Sequence, residues 1–373
     1  MTSRFARGLV VGKFSPLHRG HEFVINEAIR QCAEVVVISY SNPEFENCGR
    51  ANRDRWIADR FPGVTRLVID NDALRDICIV KGLAPMSVPH NEAPDEEQRR
   101  FVGRLCLEVL GKAVDAVFTS ESYGEGFAEA LTHNFCQHVA TAAPVSHVCI
   151  DKTRQAIPIS GTDIRSDPHA HRSFLAPSVY ADFVHRIAIL GAESSGKTTL
   201  AEALANHFGT AWVPEYGREL WDARNGRLNL EDMIQIGAQQ VQLEERLAST
   251  AHRWLFCDTT PLTTVFYSQA MFSAVDPGLR ELARRRYDHV ILCSPDFGFV
   301  QDGTRQTPAF QEKQHRWYIE TLEAAGTDFV IASGSVAERV TRVATLLQHT
   351  DRPVTDSVTP ALNLDTEYCS DRS

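Results

Sequence analysis

Two short stretches of this chain carry residues suited to work on phosphate groups. The first is GKFSPLHRGH, Gly12 to His21, where His18 and His21 stand three apart after an apolar run and a glycine. The second is GAESSGKTT, which places Gly191, Glu193, Ser194, Ser195, Gly196, Lys197, Thr198 and Thr199 in and just after the pattern G-x-x-x-x-G-K-[ST]. Glycines let such a loop wrap with its backbone N–H groups facing an anion, and a helix starting there adds its positive end. Lys197 then reaches the β and γ phosphates of ATP, and the Thr198 hydroxyl sits on Mg²⁺.

Two acids follow at strand ends, Glu215 in WVPEYGRE and Asp258 in WLFCDTT. In a parallel sheet ligands gather at the carboxyl ends of the strands, so both acids should face the phosphates. One would hold the metal and the other accept a proton from a substrate hydroxyl. The residue types leave that assignment open; Asp258 is favoured for the metal, with Thr198, and Glu215 for the base. A helix cap is the plainer reading of each. The polar stretch SPDFGFVQDGTRQ reads as a closing lid that brings Arg305 over the transferred phosphate, or as an ordinary surface loop.

The histidines need a helix to act together. If residues 19–32 are helical, His18 lies at the helix start and His21 follows one turn later on the same side. Two imidazoles at a helix N-terminus make a donor cluster for an anion. That suits nucleotidyl transfer, in which charge develops at an α-phosphate and catalysis rests on positioning and electrostatics. Gly12, Lys13 and Phe14 form the strand exit, and Lys13 and Arg19 are available for a leaving pyrophosphate. ISGTDIR adds hydroxyl donors at Ser160 and Thr162 and a cation at Arg165, a second clamp on phosphate. H-x-x-H alone is weak and fits a surface turn. GKFSPLHRGH followed roughly 140 residues later by ISGTDIR is far more specific.

Stepping along the chain, the hydrophobic pattern alternates strand and helix twice. RGLVVG, EVVVISYS, RLVIDN, AVFTS and HVCID read as strands, and GHEFVINEAIRQC, RDRWIADRF and EEQRRFVGRLCLEVLG as helices. From Arg186 the pattern restarts, with RIAILG, TAWVPE, RWLFCD, HVILCS and DFVIAS as strands, GKTTLAEALANHF as a helix and a long helix over LEDMIQIGAQQVQLEERLAS. The last helix opens on SVAE, with capping-box spacing of Ser335 and Glu338. The expected fold is α/β, two doubly wound parallel-sheet domains spanning 1–180 and 181–350, with 351–373 as an aperiodic, disordered tail. The join is expected near FLAPSVYADFVHR.

Composition narrows the partners. No apolar run approaches the roughly 18 residues of a membrane span, and the apolar run near the N-terminus is too short for a signal peptide. Nine cysteines without a C-x-x-C pair suggest reduced thiols and a cytoplasmic location. A net charge of −10 argues against nucleic acid as a partner but permits a small phosphate-rich ligand. A homo-oligomer stays open.

Gly12-Lys-Phe-x-Pro-x-His18-x-Gly-His21 with Ile159-Ser-x-Thr-x-x-Arg165 resembles the nucleotidyltransferase superfamily with the HxGH signature, a Rossmann-like fold. Its occurrence ahead of GAESSGKTT, PEYGRE, DTTPLTT and FVQDGTR resembles the NadR family, over roughly residues 7 to 345. The resemblance implies a nicotinamide mononucleotide adenylyltransferase followed by a P-loop ribosylnicotinamide kinase, with nicotinamide riboside, nicotinamide mononucleotide and ATP as substrates and Mg²⁺ as cofactor. It also implies that Thr119 to Leu131 lines the pyridine nucleotide pocket. Trp56 either stacks on the nicotinamide ring or belongs to the core. Some members of that family begin with a helix-turn-helix repressor; this chain reaches its first strand by about Leu9, so no transcriptional role is implied. Two rival readings share the motifs: a nucleoside kinase fused to a pantetheine-phosphate or flavin adenylyltransferase, and an NAD sensor with a weakly active adenylyltransferase half.

Overall fold

The computed structural model describes residues 3–120, 123–138, 143–153, 155–296 and 307–349. The expected lid residue Arg305 and the expected tail 351–373 lie outside them. The chain divides into two compact units, Met1–Phe183 and Val184–Ser373.

The first unit holds five parallel strands: β1 (Phe5–Gly12), β2 (Cys32–Tyr40), β3 (Thr65–Ile69), β4 (Ala116–Thr119) and β5 (Ser146–Cys149). Their order is β3-β2-β1-β4-β5, so the chain winds outward from β1 in one direction and then in the other. Alternation along the strands feeds both faces. Leu9, Val36, Ile38 and Val117 join one core with Leu74, Phe101, Val102, Leu131 and Phe135 from three helices. Their neighbours Val35 and Val37 are also buried and point the other way, toward the side of helix Arg19–Gln31, which packs on β1 and β2.

The second unit repeats the principle with β6 (His185–Gly191), β7 (Trp212–Val213), β8 (Trp254–Asp258), β9 (His289–Cys293) and β10 (Val330–Ala332), all parallel in the order β10-β9-β6-β8-β7. Ala188, Leu190, Val290 and Leu292 face Met233, Ile236, Leu262 and Tyr318 on one side. Ile187, Ile189, Phe256 and Ile291 face Leu200, Leu204, Val343 and Leu347 on the other. Both units are therefore doubly wound α/β sheets with helices on both faces.

Several elements differ from the sequence reading. TAWVPE yields only the two-residue β7, because Pro214 has no N–H to give the ladder. The helices Asn71–Lys81 and Gly124–His138 are additional; the first is capped by the Asp70 side chain and stopped by Gly82 in the left-handed region. The helix over EEQRRFVGRLCLEVLG is α-helical at Asp95–Arg104 and turns into a π-helix at Leu105–Val109. Among the described residues no helix is long and apolar enough to cross a membrane.

Gly191 shows how tightly the β6 exit is built. It adopts φ 151°, and a Cβ there would sit 2.5 Å from Ser195 Oγ and 2.9 Å from both Cβ and O of Cys293. Gly191→Ala should therefore destabilise the second unit by about 1–3 kcal/mol, through overpacking against backbone that cannot yield. Calorimetric unfolding checks this; an unshifted transition contradicts it.

Candidate functional site

In each sheet the central strand is flanked by strands reached in opposite directions, and the crevice at the carboxyl end of such a strand is where α/β sheets bind ligands. A cavity lies at each of these ends, of about 550 Å³ in the first unit and about 510 Å³ in the second.

In the first unit the cavity is lined by Gly12, Lys13, Phe14, His18, His21 and Arg165. Ser160 and Thr162 border it as well. His18 is the N-cap of helix Arg19–Gln31, its Nδ1 accepting from the Gly20 N–H at 3.1 Å. That bond makes Nδ1 the acceptor and leaves Nε2 as an N–H donor. A Cβ placed on Gly161 would lie 3.9 Å from His18 Nε2 and 3.2 Å from Arg165 Nη1, so this imidazole edge and the guanidinium approach the same space. His21 stacks on His18 with ring centroids 3.7 Å apart and planes 25° from parallel, and Phe14 meets His21 edge-on at 4.9 Å.

The cations are held from behind. Arg165 donates to the Ser15 carbonyl at 2.6 Å and to Thr162 Oγ1 at 3.0 Å, and its guanidinium lies 4.0 Å from the centre of the Phe45 ring. Lys13 donates to the Asn91 carbonyl at 3.3 Å. Burial first, and then the Arg165 charge, lower its pKa below the usual lysine value. Arg53, 0% exposed, donates to Ser39 Oγ at 2.7 Å, and Ser39 Oγ donates to the Lys13 carbonyl at 3.1 Å. Phe45, Asn91 and Arg53 carried no motif and went unread in the sequence.

Some expectations change. The Ser160 hydroxyl donates to Asp163 Oδ2 at 2.6 Å and accepts from the Asp163 N–H, so it is engaged in a capping box. Arg19 is exposed and does not line the cavity. Of the stretch 119–131, Thr119, Ser120, Tyr123 and Phe127 line the cavity; residues 121 and 122 lie outside the described set.

Trp56 belongs to the core. It is 0% exposed, packs near Phe183 and donates from Nε1 to Asp182 Oδ2 at 2.6 Å. Stacking on a ligand ring is thereby ruled out. Trp56→Phe should cost about 1.5–3 kcal/mol of stability, the worth of a hydrogen bond to a charged group. Ligand affinity at the cavity should stay unchanged in a titration; a lost affinity at unchanged stability contradicts this placement.

In the second unit the loop between β6 and helix Lys197–Phe208 lines the other cavity from Glu193 to Thr199. Ser194 and Gly196 both adopt positive φ, 58° and 81°, which wraps the loop around the coming helix start. The Ala192 carbonyl accepts from Ser195 Oγ at 2.7 Å and from Lys197 Nζ at 3.0 Å. Thr198 Oγ1 donates to Asp258 Oδ2 at 2.5 Å. Asp258 is 0% exposed, and burial, then the neighbouring Glu215 charge, push its pKa up to about 6. Its Oδ1 is buried without a hydrogen-bond partner.

A hydroxyl beside a carboxylate with an unpartnered oxygen suits a hard cation that prefers oxygen ligands. Among the described residues no group of three or more His, Cys, Asp or Glu side chains could hold a metal. A cation here would complete its shell with water and phosphate oxygens, as Mg²⁺ does.

Glu215 stands as N-cap position of helix Tyr216–Ala223, lines the cavity and lies 3.9 Å from Arg218. Beyond it the cavity wall is aromatic and apolar: Trp221, Met233, Tyr267, Met271 and Phe310. Tyr267 donates to Glu193 Oε1 at 3.0 Å and so joins this wall to the loop. These wall residues come from four helices, with Tyr267 and Met271 sharing one, and form no local motif.

Comparison with known proteins adds three findings. Residues 186–339 match the family model described as an AAA domain. Over 342 residues, covering 87% of this chain and 78% of the relative, the chain is 28% identical to the trifunctional NAD biosynthesis/regulator protein NadR of Escherichia coli K12. It is 27% identical over the same extent to NadR of Salmonella typhimurium. Two solved structures share the fold: NadR with NAD and AMP-PNP, at a TM-score of 0.66, 18% identity and coverage of 95% of this chain and 99% of that one. The other is NadR with NR, at 0.67, 18% identity, 96% and 99%. The sequence match makes this chain a homologue of NadR along most of its length, and the two solved structures show that it shares their fold.

Proposed function

We propose that the chain is an NAD salvage enzyme with two consecutive activities, one in each unit. The observation that carries this reading is the pair of separate cavities, each of nucleotide size and each at the loop leaving the central strand of its own sheet. The homologous proteins are named for NAD biosynthesis, and the solved relatives bind NAD, AMP-PNP and NR.

In the second unit the 5′-hydroxyl oxygen of nicotinamide riboside attacks the γ-phosphorus of ATP. The new O–P bond forms as the bond to the β,γ-bridging oxygen breaks, and ADP leaves. Lys197 and the loop N–H groups bind the phosphates, and Glu215 takes the hydroxyl proton. Thr198 and Asp258 would hold Mg²⁺, which when bound would neutralise phosphate charge. Trp221, Tyr267 and Phe310 are aromatic side chains in the cavity wall, and aromatic faces attract a cationic heteroaromatic ring. That wall favours nicotinamide riboside over a neutral nucleoside. The expected preference over uridine, adenosine or thymidine is at least tenfold in kcat/KM, about 1.4 kcal/mol. Equal use of any of these three contradicts the assignment.

In the first unit a phosphate oxygen of nicotinamide mononucleotide attacks the α-phosphorus of a second ATP, and pyrophosphate leaves. His18 and His21 donate to the charge that develops there, and Lys13 and Arg165 bind the departing phosphates. No protein nucleophile takes part.

Two variants separate the activities. His21→Ala should lower kcat for NAD⁺ formation on the order of 10²- to 10³-fold with a smaller rise in KM for ATP, because the donor matters most in the transition state. Riboside phosphorylation should be untouched. Lys197→Ala should do the reverse, cutting phosphorylation by orders of magnitude and sparing adenylyl transfer from supplied mononucleotide. Assays of both reactions on both preparations decide it, and a joint collapse in a folded variant overturns the two-site reading.

A further inference from the structure

Arg339, on the helix Val336–His349, is 0% exposed, and its guanidinium donates to backbone carbonyls. Nη1 donates to the Ser195 carbonyl at 2.6 Å, Nη2 to the Ser294 carbonyl at 2.9 Å, and Nε to the Gly334 carbonyl at 2.9 Å. Those carbonyls belong to three segments: the phosphate loop, the exit of β9 and the turn after β10. Asp296, a third exposed, approaches Nη2 at 3.5 Å and accepts from the Gly334 N–H at 2.6 Å. The start of the helix is itself fixed, with Ser335 and Glu338 bonded to each other in both directions.

The contact with Ser195 has a directional consequence. In a trans peptide the C=O and the following N–H point opposite ways. Drawing the Ser195 carbonyl inward onto Arg339 turns the Gly196 N–H outward, to the side where residues 193–199 line the cavity. Burying a guanidinium carries a large desolvation cost, and a methionine would fill a similar volume without it.

We propose that Arg339 is a positioning residue for phosphoryl transfer, holding the Ser195–Gly196 peptide with its N–H toward the nucleotide phosphates. It rests on the reading of the second unit as an ATP site, but not on the identity of the acceptor.

The test uses the full chain. MgATP binding followed by calorimetry should have a component that Lys197→Ala removes, which would define the second-unit site. Arg339→Lys keeps a charge but lacks the planar fork that spans three carbonyls, and Arg339→Met keeps only the volume. Both should weaken that component at least tenfold, with kcat for riboside phosphorylation falling at least tenfold and KM for riboside staying within twofold. A merely structural role predicts fewer binding-competent molecules at an unchanged dissociation constant, and that result overturns the proposal. So does unchanged MgATP affinity in either folded variant. Should Arg339→Met fail to fold, Arg339→Lys alone decides. If the parent binds no MgATP through Lys197, the ATP-site reading falls and takes this proposal with it. If it binds MgATP but leaves riboside unphosphorylated, only the acceptor assignment falls, and the binding arm still judges Arg339.

Discussion

A loop that offers its N–H groups to an anion must turn its carbonyls the other way, and buried carbonyls need donors. Both units meet that constraint at the end of their central strand. In the first, the Lys13 carbonyl accepts from Ser15 Oγ and Ser39 Oγ, each at 3.1 Å, and the Ser15 carbonyl accepts from Arg165. In the second, the Ala192 carbonyl accepts from Ser195 Oγ and Lys197 Nζ, and the Ser195 carbonyl from Arg339. In each case a fully buried arginine, Arg53 or Arg339, stands behind the loop. Arg53 acts through the Ser39 hydroxyl and is paired with Glu44, whereas Arg339 holds the loop directly.

On that shared scaffold the donors differ, and so does the chemistry each cavity can support. Stacked imidazoles with Lys13 and Arg165 supply N–H donors and positive charge but, among these four side chains, no carboxylate base. Nothing in adenylyl transfer from a phosphate nucleophile demands a base, since that oxygen is already ionised. The second cavity adds Glu215 and the Thr198–Asp258 pair to Lys197. A hydroxyl acceptor does need its proton removed, and a transferred γ-phosphate benefits from a cation.

How much of this was legible follows from where the information sits in the chain. The strand–loop–helix order around Gly191 to Thr198 was readable, because one contiguous segment supplies glycines, lysine and hydroxyl together. His18 as a helix start was readable for the same reason. The role of Trp56 was open, since burial depends on Asp182, 126 residues away. Asn71–Lys81 went unread although Asp70 and Gly82 mark its ends, because its exposed Ile79 and Val80 blur the apolar stripe. Gly124–His138 went unread because Gly124 and Gly126, poor helix formers, stand in its first turn. The aromatic wall of Trp221, Tyr267 and Phe310 and the bracket of Arg339 were illegible: they exist only once separate helices meet at one sheet end.

On the proposed reading, one chain runs two phosphorus transfers in series on the same pyridine nucleoside. Phosphorus-31 NMR of the intact protein supplied with nicotinamide riboside, excess ATP and Mg²⁺ tests it most directly. ADP and pyrophosphate should accumulate in a one-to-one ratio at completion, with one NAD⁺ for each riboside consumed and mononucleotide as the transient between them. ADP formed without pyrophosphate, or pyrophosphate released without consumption of riboside, would contradict it.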